Sequence, residues 1–284
     1  MNEISKIIIK KLKEIAKESS LNINELRIVT ALERVVIRIE SHPELSEHVI
    51  FKGGFVLFKV YNSSRFTRDI DAIGKNIDIE KIKKLIPVAL EKNIDDGVWF
   101  GDVSIQEILD EDEYGGLRFN LAFHIGDPPE NEAKIKNLSR VHFDIGIGDF
   151  VPDDLMRKQT ELLTDKKDFL SWKVYPPEYI FSEKLQTLVK RKDAMSRAKD
   201  IYDLVWLFDC CDNKEDLFNA IENTFHNRET KIPSSWSKFI NTLSSELIRR
   251  SWGSVQFIKD HITFEQAWGK LNKIFKIMDS YSSY

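Results

Sequence analysis

The hydrophobic residues of this chain change their spacing near the proline pair Pro176-Pro177, and that change constrains the fold more than any single motif. Before it, apolar residues alternate with polar or small ones: Leu117, Phe119, Leu121, Phe123 and Ile125 in one stretch, Val141, Phe143, Ile145 and Ile147 in another. A period of two belongs to a strand with one buried face. After the prolines every stretch has the helical period, over residues 178–192, 196–212, 214–228, 234–250 and 263–279. The chain therefore reads as α/β in the α+β sense, a mixed-sheet core followed by a helical half. The expected division is residues 1–172, a core with an N-terminal helical cap, and residues 173–284, a helical domain.

The cap consists of two amphipathic helices. Ile4, Ile7, Ile8, Leu12 and Ile15 share one helical face, and Leu26, Val29, Leu32, Val35, Val36 and Ile39 share another. Asn22, with Glu25 three residues later, forms a capping-box start. Pro43 ends the second helix, because the residue before proline avoids helical angles. The texture then changes to a short strand over His48–Lys52, Gly53-Gly54, a short helix, and a strand over Arg65–Ile73. A helix over 78–92 and strands over 98–105 and 116–125 follow, with no internal repeat.

Charge and cysteine usage exclude some classes. Lys and Arg number 42 and Asp and Glu 46, for a net charge of -4, so any polyanion site has to be a local basic patch. The cysteines are the adjacent Cys210 and Cys211, which cannot build a disulfide scaffold and fit a reducing cytoplasm. The N-terminal stretch is broken by lysines at helical spacing and reads as neither signal peptide nor membrane span. A cytoplasmic protein without membrane contact is expected.

Asp69 and Asp71 stand two apart in a strand, so both carboxylates point to one face while Ile70 and Ala72 point to the core. Like charges this close suit a hard divalent cation such as Mg²⁺, although D-x-D is common and alone favours a solvated pair on an exposed edge strand. Gly53-Gly54, between strand and helix, lets backbone approach an anion, and on its own also fits a tight turn. Asp144 follows Val141 and Phe143 in an alternating strand, with Gly146 and Gly148 leaving space beside it. It reads either as a third active-site carboxylate or as a strand-end cap. In the helical half, Lys184 begins a basic run to Lys199, and Asp200 and Asp203 share a helical face.

In their order along the chain these segments resemble the AbiEii/AbiGii-type toxins of the nucleotidyltransferase superfamily that includes DNA polymerase β. The resemblance is carried by FKGGFVLFKVYNSSRFTRDIDAIG, by the preceding helix NINELRIVTALERVVIRIE, by VHFDIGIGDFVPDD, and by YPPEYIFSEKLQTLVKRKDAMSRAKDIYDLVWL. It implies a nucleotidyltransferase-like mixed sheet core with N-terminal helices. It implies that Gly53 and Gly54, with Lys52, Arg65 and Thr67 nearby, bind nucleotide phosphates. Asp69 and Asp71 would ligate Mg²⁺ or Mn²⁺, with Asp144 as the third acid. Lys184 would contact the triphosphate, and Asp203 or Asp200 would be the helical acid that completes the site. The expected reaction is transfer of NMP from an NTP to a hydroxyl, with tRNA the leading acceptor and a cognate antitoxin the implied partner. Modification of a protein or small molecule, kinase-like γ-phosphoryl transfer, and a non-catalytic binding module are the alternatives.

Overall fold

The structure is a computed structural model and describes residues 2–108, 115–153, 155, 157–192, 197–258 and 261–281. Its contacts divide the chain into two compact units, one of Met1–Val60 with Thr67–Val174, the other of Tyr61–Phe66 with Tyr175–Tyr284.

The first unit runs α1 (Glu3–Glu18), α2 (Ile23–Glu40), α3 (Leu45–His48), β1 (Val49–Lys52), α4 (Gly53–Lys59), β2 (Asp69–Gly74), α5 (Ile79–Glu91), β3 (Val98–Ile108), β4 (Gly116–Ile125), α6 (Glu132–Lys136), β5 (Arg140–Ile147), β6 (Arg157–Glu161) and β7 (Phe169–Lys173). Five strands form a mixed sheet in the order β1-β2-β5-β4-β3, and β6 and β7 form a separate two-stranded ribbon. β2 and β5 run parallel, while β1–β2, β4–β5 and β3–β4 run antiparallel. The alternation read from the sequence sets the two sheet faces. Ile70, Leu117, Phe119, Leu121, Val141, Phe143 and Ile145 are all buried. Phe143 packs between Phe51 and Phe119, and Trp172 of β7 closes on Phe51 and Phe55. The residues between them are polar and form the opposite face.

The helix starts follow from their caps. Asn22 accepts from the backbone of Asn24 and Glu25 while Glu25 accepts from the Asn22 backbone, a complete capping box. Asp78 caps α5 by accepting from Lys81 N. In α1 the expected apolar face is narrower than its isoleucines suggest. Ile8 and Leu12 are buried with Ser5, but Ile4 and Ile7 are 46% and 48% exposed. A helix turns by about 100° per residue, so a single contact line covers only part of a wide apolar stripe.

The second unit contains α7 (Pro177–Arg191), α8 (Ala198–Cys210), α9 (Lys214–Asn227), α10 (Trp236–Phe239), α11 (Ser245–Arg250) and α12 (Phe264–Tyr281). Its core gathers Trp236, Phe225, Phe239 and Phe275. The single helix expected over 234–250 is broken: a 3-10 turn at Ile240–Thr242 follows α10, and Ser244 caps α11 by accepting from Leu247 N. The strand expected from Arg65 begins only at Asp69. Residues 61–66 leave the sheet and pack with the helices. Ile258 N donates to Ser64 O at 2.7 Å, Phe66 N donates to Gln256 O at 2.8 Å, and the Trp206 indole donates to Tyr61 O at 2.8 Å. Cys210 and Cys211 are both free thiols. No helix among the described residues is long and apolar enough to cross a membrane.

Candidate active site

The polar face of the five-stranded sheet brings the expected acids of the first unit together. Asp69 and Asp71 alternate with the buried Ile70 on β2 and project to one side. The parallel pairing with β5 sets Asp71 opposite Asp144 and Asp69 opposite His142. Across the other neighbour of β2, Lys52 stands opposite Asp71. On the far side of β5, Arg118 of β4 stands opposite Asp144. One row across four strands therefore reads Lys52, Asp71, Asp144, Arg118, with Asp69 and His142 in the next row.

Each member of this face has a defined neighbour. Arg118 donates through Nε and a terminal nitrogen to the two Asp144 oxygens at 2.8 and 2.6 Å, a bidentate pair. That bond leads in raising the already high pKa of Arg118; burial opposes it, and the charges of Asp144, Asp69 and Asp71 add to it. His142 Nδ1 lies 3.1 Å from Asp69 Oδ1. Lys52 donates to Asp149 at 2.8 Å, and both side chains are nearly buried. Thr67 donates its hydroxyl to the Asp69 carbonyl at 3.4 Å.

Gly53 opens α4 with φ +71, a conformation in which glycine is strongly favoured. A methyl group added there would stand 2.0 Å from Asp71 Oδ2, so the backbone at Gly53 packs directly on the Asp71 carboxylate. Gly54 is buried as the second residue of the helix. Gly146 lies open: an added methyl would find nothing closer than Asp149 Oδ2 at 3.8 Å.

The sequence grouped Arg65, Lys184, Asp200 and Asp203 with these acids, and the structure gathers those four inside the helical unit as an ion network of their own. Arg65 donates to both oxygens of Asp203 at 2.7 and 2.8 Å. Lys184 lies 2.8 Å from Asp203 and 3.2 Å from Asp200, and Arg197 donates to Asp200 at 2.7 Å. Asp203 is fully buried. Burial pushes its carboxyl pKa up, but Arg65 and then Lys184 outweigh that and hold it below the ordinary value. Burial likewise pulls the Lys184 pKa down, and Asp203 and Asp200 reverse this and raise it. Arg65 thus meets a carboxylate of its own unit. The basic run Lys184–Lys199 is tied to α8 through Lys184 and Arg197, and residues 193–196 of that run lie outside the described residues.

Arg118, His142 and Asp149 were not singled out in the sequence. Arg118 and His142 fill polar slots of the same alternations that identified β4 and β5, and that was the available signal. Among the described residues, no three His, Cys, Asp or Glu side chains are drawn together as a finished metal cage. Asp144 is turned onto Arg118 and Asp69 onto His142. The donors on the face are nevertheless hard carboxylate oxygens on adjacent strands, the set that suits Mg²⁺.

Two solved structures are similar to the chain, each at 15% identity. One is a protein from H. pylori described as a nucleotidyltransferase, covering 92% of this chain and 97% of its own, with a TM-score of 0.48. The other is an antigenic nucleotidyltransferase-like protein from Paracoccidioides brasiliensis, covering 81% of this chain and 97% of its own, with a TM-score of 0.40. No curated protein sequence matches the chain significantly. The family profile described as nucleotidyl transferase AbiEii toxin, type IV toxin–antitoxin system, matches residues 34–269 and so spans β1 through β7 and most of the helical unit. The chain belongs to the AbiEii nucleotidyltransferase toxin family of type IV toxin–antitoxin systems.

Proposed function

We propose that the chain is a Mg²⁺-dependent toxin that transfers NMP from an NTP to a hydroxyl of RNA, with the 3′ end of tRNA as acceptor. The observation that carries this reading is the register of β2 and β5, which sets Asp71 opposite Asp144 beside the close backbone of Gly53 in a chain of this family. Asp69 and Asp71, with Asp144 as the third acid, would hold the divalent ion, which would supply charge neutralisation for the triphosphate. Gly53 and Gly54 open α4 and offer the backbone of its first turn to the phosphates. Asp144 accepts the proton of the attacking hydroxyl. The hydroxyl oxygen bonds to the α-phosphorus, the bond from that phosphorus to the β-phosphate bridging oxygen breaks, and pyrophosphate leaves.

In the helical unit, Lys184 is the side chain assigned to phosphate. Asp203 and Asp200 orient its ammonium, and Asp203 also fixes Arg65. The partner in this reading is a cognate antitoxin encoded nearby, and the compartment is the cytoplasm.

The test is incubation of the purified protein and Mg²⁺ with each NTP, labelled in turn at the α- and the γ-phosphate, and with separate pools of RNA, protein and small hydroxyl compounds. The reading expects α-label in RNA and free labelled pyrophosphate from the γ-label. Nucleoside diphosphate with γ-label in the acceptor would instead identify a kinase-like enzyme, and α-label in the protein pool would move the acceptor class.

A further inference from the structure

Two of the guanidinium–carboxylate forks among the described residues have the same chemistry and opposite surroundings. Arg65–Asp203 is sealed, with side chains 7% and 0% exposed. Arg118–Asp144 lies on the polar sheet face, with side chains 40% and 17% exposed. A sealed fork cannot open without leaving a buried charge unpaired. A half-exposed arginine can swing its head into water, keep its stem on the sheet, and lose little.

The open fork lies where the acids gather. Arg118 and Asp144 are register partners on β4 and β5, and Asp144 is the register partner of Asp71 on β2. Both Asp144 oxygens accept from Arg118, so neither has that guanidinium's place available to a metal or to an attacking hydroxyl. The guanidinium also interacts favourably with the charges of Asp69 and Asp71. We infer that Arg118 is the internal counter-ion of this face, neutralising Asp144 in the metal-free protein and releasing it when a divalent cation binds. Arg118 is then a positioning residue that competes with the metal for Asp144. The inference rests on the reading of Asp69, Asp71 and Asp144 as the metal-binding acids.

Binding of Mn²⁺ alone, without nucleotide, tests it by electron paramagnetic resonance of the free ion. The proteins compared are wild type, Arg118→Gln, Arg118→Lys and Asp71→Asn. Removing a competing cation should tighten Mn²⁺ binding in Arg118→Gln by roughly three- to tenfold. Lysine keeps the charge and loses the fork, so Arg118→Lys should fall between wild type and Arg118→Gln, and it carries the test if the glutamine variant does not fold. In EDTA, Arg118→Gln should melt below wild type, because the acids lose their cation, and saturating Mn²⁺ should close that gap. Mn²⁺ binding at or below the wild-type level in the arginine variants would overturn the role of Arg118, as would unchanged Mn²⁺ binding with loss of affinity for a non-hydrolysable NTP. Wild-type Mn²⁺ binding in Asp71→Asn would mean that the metal-site reading has failed, and the inference with it.

Discussion

Gly53 stands so close to Asp71 that a methyl group on its Cα would lie 2.0 Å from the carboxylate Oδ2. The turn from β1 into α4 and the D-x-D strand are thus fitted to each other, and the glycine is required by both its φ of +71 and this approach. Gly53→Ala should cost roughly 1–3 kcal/mol for the backbone conformation alone. It should also abolish nucleotide transfer by displacing Asp71. Gly146→Ala meets nothing closer than 3.8 Å and should keep the wild-type melting temperature, so any loss of activity there reports ligand space rather than folding. Melting curves and transfer assays on the two variants separate these effects.

Asp203 neutralises two cations inside the helical unit. Asp203→Asn leaves Arg65 and Lys184 without their shared anion and should destabilise that unit by about 3–5 kcal/mol. Asp200→Asn should cost less, because Lys184 keeps Asp203 at 2.8 Å. Urea unfolding followed by tryptophan fluorescence measures both.

The same network gives stability a pH dependence at both ends. The Asp203 carboxyl is held below its ordinary value in the folded protein. Its contribution is complete above the unfolded value of about 3.9 and is lost as pH falls through the lowered folded value. Lys184 is raised in the folded protein, so its contribution is complete below an unfolded value of about 10.4 and is lost as pH rises through the folded one. The contribution of this pair to the urea midpoint should be constant between these limits and fall outside them. Asp203→Asn should shallow both limbs, and limbs unchanged in that variant would place the dependence elsewhere.

Asp144→Asn separates chemistry from folding. The amide cannot take the charge-assisted fork of Arg118, but that arginine is 40% exposed, so the stability cost should stay within about 1 kcal/mol. Transfer should fall by roughly 10²–10⁴-fold if Asp144 takes the hydroxyl proton. An amide variant that unfolds while its folded fraction keeps full activity would make Asp144 a structural residue.

Much of the first unit was legible because its signals are local. The Asn22–Glu25 capping box lies within one turn, and the alternations around Phe119 and Phe143 define which residues share a face. Those alternations put Asp69 and Asp71 on one side, and the parallel pairing then added Asp144. What was not legible depends on distant partners. Arg65 looks like the start of the D-x-D strand, yet its carboxylate is 138 residues away at Asp203. The pairing of Lys184 with Asp200 and Asp203 is legible in the sequence, and the addition of Arg65 and Arg197 to that network is not. The β6–β7 ribbon was missed because Arg157–Glu161 buries no apolar residue and pairs through its backbone with a strand holding only Leu170 and Trp172 inside. The helix expected over 234–250 kept its apolar period across the break at Ser244, where the side chain caps a new start.

Every role proposed above depends on nucleotidyl transfer at the acidic face of β2 and β5. Its most direct test is the rate of pyrophosphate release from NTP with Mg²⁺ and RNA, compared between wild type and Asp71→Asn at matched melting temperature. The account predicts a loss of at least about 10²-fold in the variant, the scale of removing one electrostatic group from an active site. An Asp71→Asn protein that releases pyrophosphate at the wild-type rate would contradict it.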